Sequence, residues 1–129
     1  MTATETSARR PGGTERVCFQ LRVRPELLDE YVARHRSVPP AMLREIAVSG
    51  RRNYTIFLRP DGLLVGYFET DDLAASEAYL ARSPVAAAWE RDSARFFADL
   101  EGRPDQGFTR LPQVFQLEEQ LTSEGANHD

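Results

Sequence analysis

The sequence predicts an α+β domain in which helices cover one face of a four-stranded antiparallel sheet. Two observations carry this prediction. Stretches in which apolar and polar residues alternate, as in half-buried strands, are separated by stretches with apolar residues at helical spacing. Their order is strand, helices, strand, strand, helices, strand, which is the split βαβ pattern of a ferredoxin-like domain. A chain of 129 residues is long enough for one such domain with its own hydrophobic core.

The first predicted strand is followed directly by a helix. Apolar residues alternate with polar ones at Val17, Phe19, Leu21 and Val23. Pro25 then suits the first turn of a helix, where the backbone N–H that proline lacks is not needed. Helical spacing relates Leu28, Tyr31, Val32 and His35.

A second helix follows a proline interruption. The sequence Val38-Pro39-Pro40 ends the first helix, because proline inside a helix removes a backbone hydrogen bond. Apolar residues then recur at helical spacing at Met42, Leu43, Ile46 and Ala47. Gly50 is a natural residue for a helix C-cap and predicts the end of this helix.

The middle of the chain predicts a β-hairpin. In residues 53–59, one face of the strand carries Tyr54, Ile56 and Leu58, and the other carries Thr55 and Phe57. The sequence Arg59-Pro60-Asp61-Gly62 is a turn signal, since proline sets φ and glycine accepts the closing geometry. Residues 63–69 form the returning strand.

Two helices and a last strand complete the pattern. Asp71 or Asp72 caps a helix that contains Leu73, Ala74 and Leu80. Ser83 and Pro84 start the next helix, as cap and first-turn residue. Its predicted apolar stripe consists of Val85, Ala88, Trp89, Phe96 and Leu100. After a loop at Gly102, Pro104 and Gly107, the final short strand contains Val114, Phe115 and Leu117.

The sheet face without helices needs a cover. Either it lines a ligand cavity or a second subunit packs on it, and both occur together when two such sheets close face to face. The predicted strands carry aromatic residues, namely Phe19, Tyr54, Phe57, Tyr67 and Phe68. This composition favours a symmetric homodimer, so the predicted assembly is a dimeric α+β barrel.

Charge is unevenly distributed along the chain. We predict a disordered leader at residues 1–15, the folded domain at residues 16–117 and an acidic polar tail at residues 118–129. The tail alone accounts for the net charge of −4, whereas the domain holds 14 arginines and 14 acidic residues. This balance predicts no nucleic-acid partner and no membrane surface. The sequence shows no signal peptide and no spanning helix, so the predicted location is cytoplasmic.

Residue types exclude several kinds of chemistry. All 16 basic residues are arginine, which excludes a Schiff-base lysine. Cys18 is the only cysteine, so multi-cysteine zinc sites are excluded and a structural thiol is predicted. His35 is the one histidine of the domain, because His128 lies in the tail. We predict no metal and no cofactor, and only a carboxylate site for a hard metal stays open.

Tyr31 and His35 are the main candidates for chemistry. Four residues apart in a helix, they lie on one face of it. Histidine has a pKa of about 6.5 and exchanges protons near neutral pH, and a tyrosine hydroxyl both donates and accepts hydrogen bonds. The alternative is a half-buried histidine bonded to a backbone carbonyl. Spacing alone does not decide between the two interpretations.

Further residues could line a site beside them. Tyr54 and Trp89 are either core residues or the flat aromatic surfaces that a sugar binds. Glu90 is either an exposed glutamate paired with an arginine or a partly buried acid with a raised pKa. Arg51 and Arg52 could bind an anion, but a solvated turn is the simpler interpretation.

Several short motifs occur in a fixed order between residues 17 and 117. Pro25 follows the first strand, Glu30-Tyr31 precedes Arg34-His35, and Asn53-Tyr54 opens a strand. The order continues with Ser83-x-Val85 leading to Trp89, and with Val114-Phe115-x-Leu117. This set resembles the L-rhamnose mutarotase family. The resemblance implies homodimers of ferredoxin-like subunits that interconvert the α and β anomers of a 6-deoxy sugar. It also implies that His35 is the acid–base residue and that Tyr31, Tyr54 and Trp89 line the pocket.

Three positions depart from the family pattern. Pro39 stands where a tryptophan usually follows the helical histidine, and Glu90 stands where paired tryptophans are common. Gln113 stands where a glutamate commonly precedes Val-Phe. The scaffold is therefore kept, whereas two aromatic walls and one carboxylate are lost and one carboxylate is gained.

Three functional hypotheses follow. The preferred one is cofactor-free mutarotation of a 6-deoxy aldose by histidine and tyrosine acid–base catalysis. The second is another acid–base isomerisation or cyclisation in secondary metabolism on the same dimeric barrel, which the departures favour. The third is a non-catalytic module that binds a small molecule, and it predicts His35 in packed core without a cavity.

Overall fold

A computed structural model describes residues 13–100 and 102–128 of the chain. Its strands are β1 (Glu15–Arg22), β2 (Arg52–Leu58), β3 (Leu63–Thr70) and β4 (Thr109–Leu111). Its helices are α1 (Leu28–His35), α2 (Pro40–Val48), α3 (Leu73–Arg82), α4 (Pro84–Ser93), α5 (Pro104–Gly107) and α6 (Leu117–His128). Short 3₁₀ turns precede α1 and follow α4. The predicted leader lies outside the described residues up to residue 12, and Glu15 already belongs to β1.

The four strands form one antiparallel sheet in the order β2-β3-β1-β4. This is the ferredoxin-like order, so the predicted fold class is confirmed. The hairpin between β2 and β3 closes as predicted, since Gly62 adopts a φ of 102° and its N–H donates to the Arg59 carbonyl at 2.9 Å. Side-chain oxygens cap two helices, with Asp72 accepting from Ala75 N at 3.0 Å and Ser83 from Ala86 N at 3.1 Å.

The main core lies between the sheet and the helices. In β1 and β3, every second side chain is buried on this covered face, as the alternation predicts. Its fully or nearly buried members are Val17, Phe19, Val23, Tyr31, Leu64, Phe68, Phe96 and Phe97. A smaller cluster between α2, α3 and α4 contains Met42, Leu80 and Ala86. No described helix is long and apolar enough to cross a membrane.

The aromatic residues of the strands divide between the two faces of the sheet. Tyr54 packs against Phe19 and Phe68 on the covered face, with ring centroids 6.2 and 5.2 Å apart. Phe57 and Tyr67 point to the open face instead, because they occupy the alternate positions of their strands. The open face is therefore less aromatic than the sequence pattern alone suggested.

The predicted final strand is wrong. β4 pairs with β1 only through Thr109, Arg110 and Leu111. Pro112 follows and has no backbone N–H to continue the pairing. Val114 is 93% exposed.

The predicted acidic polar tail is helical over its described part. Leu117 begins α6, the helix that contains most of the acidic segment. The side-chain oxygen of Gln116 accepts from Glu119 N at 2.7 Å and caps this helix. The acidic composition of residues 118–129 is therefore compatible with an ordered helix over its described part.

The apolar stripe predicted for α4 is not the buried face of this helix. The helix ends at Ser93 instead of continuing to Leu100, and Val85 is exposed. The buried positions of α4 are Ala86, Glu90 and Ser93. Small side chains at two of these positions let the helix approach its neighbours closely. Glu90 therefore faces the interior of the protein.

Candidate active site

His35 ends α1 with its ring held in one orientation. Its Nδ1 lies 3.0 Å from the carbonyl oxygen of Tyr31. Because a carbonyl only accepts, Nδ1 carries the proton of the neutral ring and Nε2 keeps a free lone pair. The His35 ring also stacks on the Tyr31 ring, with centroids 4.1 Å apart. The bond to a backbone carbonyl and the cavity-lining position, which the sequence left as alternatives, both occur.

The environment of His35 favours its neutral form. Burial lowers the pKa of the imidazole below its usual value, and the positive charge of Arg34 lowers it further. The hydrogen bond to the Tyr31 carbonyl opposes this change. His35 is therefore neutral at pH 7 and able to accept a proton at Nε2.

Trp89 stands beside the imidazole. The two rings meet edge to face with centroids 5.5 Å apart. The Arg34 guanidinium lies 4.1 Å from the centre of the indole ring, and its Nη2 donates to Ser93 Oγ at 3.4 Å. These contacts fix the indole, which is half-buried and lines the cavity beside His35.

Tyr54 reaches the site from the start of β2. Asn53 before it adopts a φ of 52°, and the pairing of β2 with β3 shifts register at this point. The irregularity aims the Tyr54 ring at the covered face. Burial raises the pKa of the Tyr54 hydroxyl to about 12, although Arg51 opposes this shift by its charge and a hydrogen bond. Burial raises the pKa of Tyr31 as well, so both phenols keep their protons at neutral pH.

Glu90 is a buried acid in this site. Its side chain is on the inward face of α4, and the residue is 7% exposed. Burial raises its pKa to about 7, and the negative charge of Asp105 adds to that effect. The backbone N–H of Asp105 donates to Glu90 Oε1 at 2.9 Å, which opposes the shift together with the charges of Arg103 and Arg51. The interpretation of Glu90 as an exposed, arginine-paired glutamate is wrong.

The five predicted site residues converge. A small cavity of about 60 Å³ is lined by Tyr31, His35, Tyr54, Trp89 and Glu90. It adjoins a wider groove of about 450 Å³, which shares His35, Tyr54, Trp89 and Glu90 with it. The volume of the groove is within the usual range for small-molecule sites. The third hypothesis required a packed core without a cavity, and this requirement is not met.

Sequence reasoning missed two charged residues of the cavity wall, Arg51 and Asp105. Arg51 is only 6% exposed, so the solvated-turn interpretation is wrong for it, whereas Arg52 is exposed. Strand alternation could not have indicated this burial, because the register of β2 shifts between Arg52 and Thr55. Asp105 comes from the short helix α5, and no spacing in the sequence indicated it.

Two of the family departures lie away from the cavity. Gln113 accepts from Arg16 at 3.3 Å and donates to Glu119 at 3.2 Å, and Pro39 precedes α2 as its N-cap. Neither residue lines the cavity or the wider groove. Within the described residues, no group of three or more His, Cys, Asp or Glu side chains is placed to hold a metal ion.

Comparison with known proteins places the chain in a family. A family model described as L-rhamnose mutarotase matches residues 16–117. The chain belongs to the L-rhamnose mutarotase family. Two curated members, both named L-rhamnose mutarotase, come from Ligilactobacillus salivarius and Enterococcus faecalis. The first is 31% identical over 76% of this chain and 93% of its own length, and the second is 35% identical over 77% and 95%.

Solved structures extend the family relation to the fold. A crystal structure of L-rhamnose mutarotase from Formosa agariphila aligns with a TM-score of 0.62 at 20% identity, covering 79% of this chain and 97% of that one. A conserved protein from Methanosarcina mazei aligns with a TM-score of 0.54 at 17% identity, covering 80% and 93%. At these identities, the likeness shows a common fold. Mutarotases are isomerases, so membership of the L-rhamnose mutarotase family assigns this chain to that class of enzyme.

Proposed function

We propose that this protein interconverts the α and β anomers of a 6-deoxy aldose such as L-rhamnose without a cofactor. The observation that carries the proposal is a pair of proton-transfer groups on one cavity wall. His35 is neutral with Nε2 free, and Glu90 has a pKa of about 7 and so still holds a proton on many molecules at neutral pH. Mutarotation needs one group that accepts a proton and one that donates one.

His35 is the base in this mechanism. Its Nε2 removes the proton from the anomeric hydroxyl while the protonated carboxyl of Glu90 donates a proton to the ring oxygen. The bond between C1 and the ring oxygen breaks, and C1 becomes an aldehyde. Rotation about the C1–C2 bond presents the other face of the aldehyde. Ring closure returns the proton to Glu90 and takes the other proton back from His35.

The aromatic residues bind and orient the sugar. Trp89 presents a fixed flat surface for the C–H face of the ring, since Arg34 and His35 hold the indole. Tyr54 and Tyr31 keep their phenolic protons at neutral pH and are able to hydrogen-bond sugar hydroxyls.

Exchange spectroscopy by NMR tests the proposal. The rate of α to β exchange of L-rhamnose is measured with and without the protein at pH 7. We expect a rate that rises in proportion to protein concentration. An exchange rate equal to that in buffer at all protein concentrations refutes the proposal.

Glu90 supports a second candidate function. A carboxyl with a pKa of about 7 serves any acid-catalysed isomerisation or cyclisation of a small molecule, as in secondary metabolism. Under this alternative, L-rhamnose exchange is not accelerated but the cavity still binds a small polar molecule. The exchange assay therefore also separates the two candidates.

We also propose that the protein is a homodimer closed through the open sheet face, as in a dimeric α+β barrel. Phe57 on this face is 64% exposed, and a second sheet packed on the face would bury it. Light scattering on the purified protein is expected to give twice the mass of 14.6 kDa, and Phe57→Arg is expected to shift it to the monomer. A wild-type monomer at high concentration contradicts this assembly. The cytoplasmic location remains a prediction.

A further inference from the structure

Arg51 is a buried cation with uncharged partners. Its Nε donates to Ser76 Oγ at 2.8 Å, and the Ser76 hydroxyl donates in turn to Ser49 Oγ at 3.1 Å. The guanidinium lies over the Phe68 ring, 4.1 Å from its centre. Among the described residues, no carboxylate forms an ion pair with Arg51. Contacts with Ser76, Phe68 and Tyr54 thus fix the side chain, and none of them neutralises it.

The nearby acids compensate this charge only in part. Asp105 is engaged by Arg103, whose Nε and Nη2 donate to its two oxygens at 2.9 and 2.8 Å. Glu90 feels the charge of Arg51, but its pKa of about 7 leaves it only partly ionised near neutral pH. A buried charge without a full counter-charge is energetically costly, and a bound anion would remove part of that cost.

The position of Arg51 makes a ligand the partner that fits. The residue lines both the cavity and the wider groove, together with His35, Glu90 and Trp89. Its Nε donates to Ser76, and the side chain also hydrogen-bonds Tyr54, so the remaining terminal N–H groups are the part available to a bound molecule. A guanidinium held in one plane matches the two oxygens of a carboxylate.

We propose that Arg51 binds a ligand carboxylate and that the cavity therefore accepts an aldose carrying a carboxylate at C6 as well as a 6-deoxy aldose. This inference rests on the proposed function, because the anomeric carbon has to reach His35 while C6 lies at Arg51. L-Mannuronate is the matched probe, since it is L-rhamnose with a carboxylate in place of the C6 methyl group. The proton transfers are the same for both sugars, so only the recognition of C6 differs.

The test compares anomer exchange of the two sugars in three proteins. Wild-type protein is expected to accelerate exchange of both L-rhamnose and L-mannuronate. Arg51→Gln is expected to lower kcat/KM for L-mannuronate about 10- to 100-fold more than for L-rhamnose, the range for losing a hydrogen bond to a charged group. Arg59→Gln is the matched control. The Arg59 guanidinium donates to Asp61 at 2.8 Å in the β2–β3 turn and lines neither cavity, so the ratio of the two rates should stay at the wild-type value.

The possible outcomes separate this inference from the proposed function. Acceleration of L-rhamnose alone overturns the inference and leaves the proposed function standing. Equal losses for both sugars in Arg51→Gln also overturn it, since Arg51 then does not discriminate at C6. If neither sugar is accelerated, the proposed function fails. Calorimetric titration then measures whether Arg51 binds the carboxylate of L-mannuronate. The inference is overturned if the wild type does not bind L-mannuronate, or if Arg51→Gln binds it with the wild-type affinity.

The inference can still be tested if Arg51→Gln does not fold correctly. Thermal unfolding identifies such a defect, and Arg51→Lys then replaces the variant because it keeps the charge and loses the planar fork. The expected result is again a larger loss of kcat/KM for L-mannuronate than for L-rhamnose. An unchanged ratio of the two kcat/KM values in Arg51→Lys refutes the inference.

Discussion

The two sides of the sheet use their polar residues differently. On the open face, Glu69 accepts hydrogen bonds from Tyr67 at 2.7 Å and Asn53 at 2.8 Å, so its two oxygens both have protein partners. On the covered side, Glu90 accepts one backbone hydrogen bond, and Arg51 has only the uncharged partners Ser76 and Tyr54 for its N–H groups. Glu69 on the open face therefore has protein partners for both oxygens, whereas Glu90 and Arg51 in the cavity can still form hydrogen bonds with a ligand.

This difference is visible in the acidities of the two glutamates. The hydrogen bonds from Tyr67 and Asn53 hold the pKa of Glu69 below its usual value. Burial and the charge of Asp105 raise the pKa of Glu90 to about 7. The same residue type thus becomes a permanent anion on one side and a proton donor on the other. In this protein, the candidate site is marked by buried polar side chains that lack a full set of hydrogen-bond or charge partners.

Removing the imidazole should have the largest effect of any change in the cavity. His35→Ala is expected to lower the catalysed exchange of L-rhamnose by about 10²- to 10⁴-fold, the usual contribution of one acid–base group. The fold should be retained, because His35 is half-buried at the end of α1. NMR exchange measures the rate and thermal unfolding measures the stability.

Glu69→Gln is the matched control for this experiment on the open face. It changes a charged, hydrogen-bonded residue outside the cavity, so exchange should continue close to the wild-type rate. Full activity of His35→Ala removes the imidazole from the mechanism. Equal loss in both variants would mean that the two sides of the sheet are not functionally distinct.

The opposite acidities predict opposite pH dependences of stability. Glu90 has a folded pKa of about 7 against a usual 4.5, so the folded state binds more protons between these values. The stability contributed by protonated Glu90 is complete below pH 4.5 and is lost as the pH rises to 7, by at most about 3 kcal/mol. Glu90→Gln should remove this loss, and it should therefore stabilise the protein most at pH 8 relative to the wild type.

Glu69 should contribute a pH dependence of stability opposite in sign to that of Glu90, and Glu69→Gln tests this. The pKa of Glu69 is lowered, so its contribution to stability is present above the usual carboxyl pKa and is lost as the pH falls through the lowered value. Urea unfolding of the two variants and the wild type at pH 4.5, 6 and 8 measures both effects. Parallel curves for the wild type and Glu90→Gln contradict the raised pKa of Glu90.

Packing density also distinguishes the two sides. A Cβ atom added to Gly66 would lie 2.2 Å from Cζ of Phe19 in the main core. Gly66→Ala should therefore lower the free energy of unfolding by about 1–3 kcal/mol, the usual effect of overpacking. Thr55→Ala on the open face should change it by less than about 0.5 kcal/mol, since Thr55 is exposed. Equal destabilisation by the two changes would show that the covered face is not the more tightly packed one.

Features with local signals could be predicted from the sequence. The turn at Gly62 and the caps at Asp72 and Ser83 depend on residues close together in the chain, and the structure has all three. His35 and Tyr31 could be paired because helical spacing is fixed. The family resemblance supplied Tyr54 and Trp89, whose place in the cavity depends on contacts between distant segments.

Other features depend on tertiary packing and were missed. Arg51 is buried because Ser76 and Phe68, from other elements, enclose its guanidinium. Apolar residues near the C-terminus predicted a strand at Val114 and Phe115, but apolar character does not distinguish a buried strand from an exposed segment. The pairing length of β4 is set by Pro112 and by the position of β1, and the second of these has no local signature.

The smallest expected effect concerns α6, which the open face holds by surface contacts. Arg16 on β1 donates to Glu119 at 3.0 Å and to Gln113 at 3.3 Å, and these contacts attach the helix to the sheet. Both charged side chains are about one quarter exposed, so Arg16→Ala should lower the free energy of unfolding by only about 0.2–1 kcal/mol. Amide hydrogen exchange in α6 should nevertheless become faster, because local opening of a helix depends on its own few contacts. Arg59→Ala, which removes an ion pair of the β2–β3 turn, is the control that should leave α6 unchanged. Unaltered exchange in α6 of Arg16→Ala would mean that its exposed apolar residues, and hence a partner subunit, hold this helix instead.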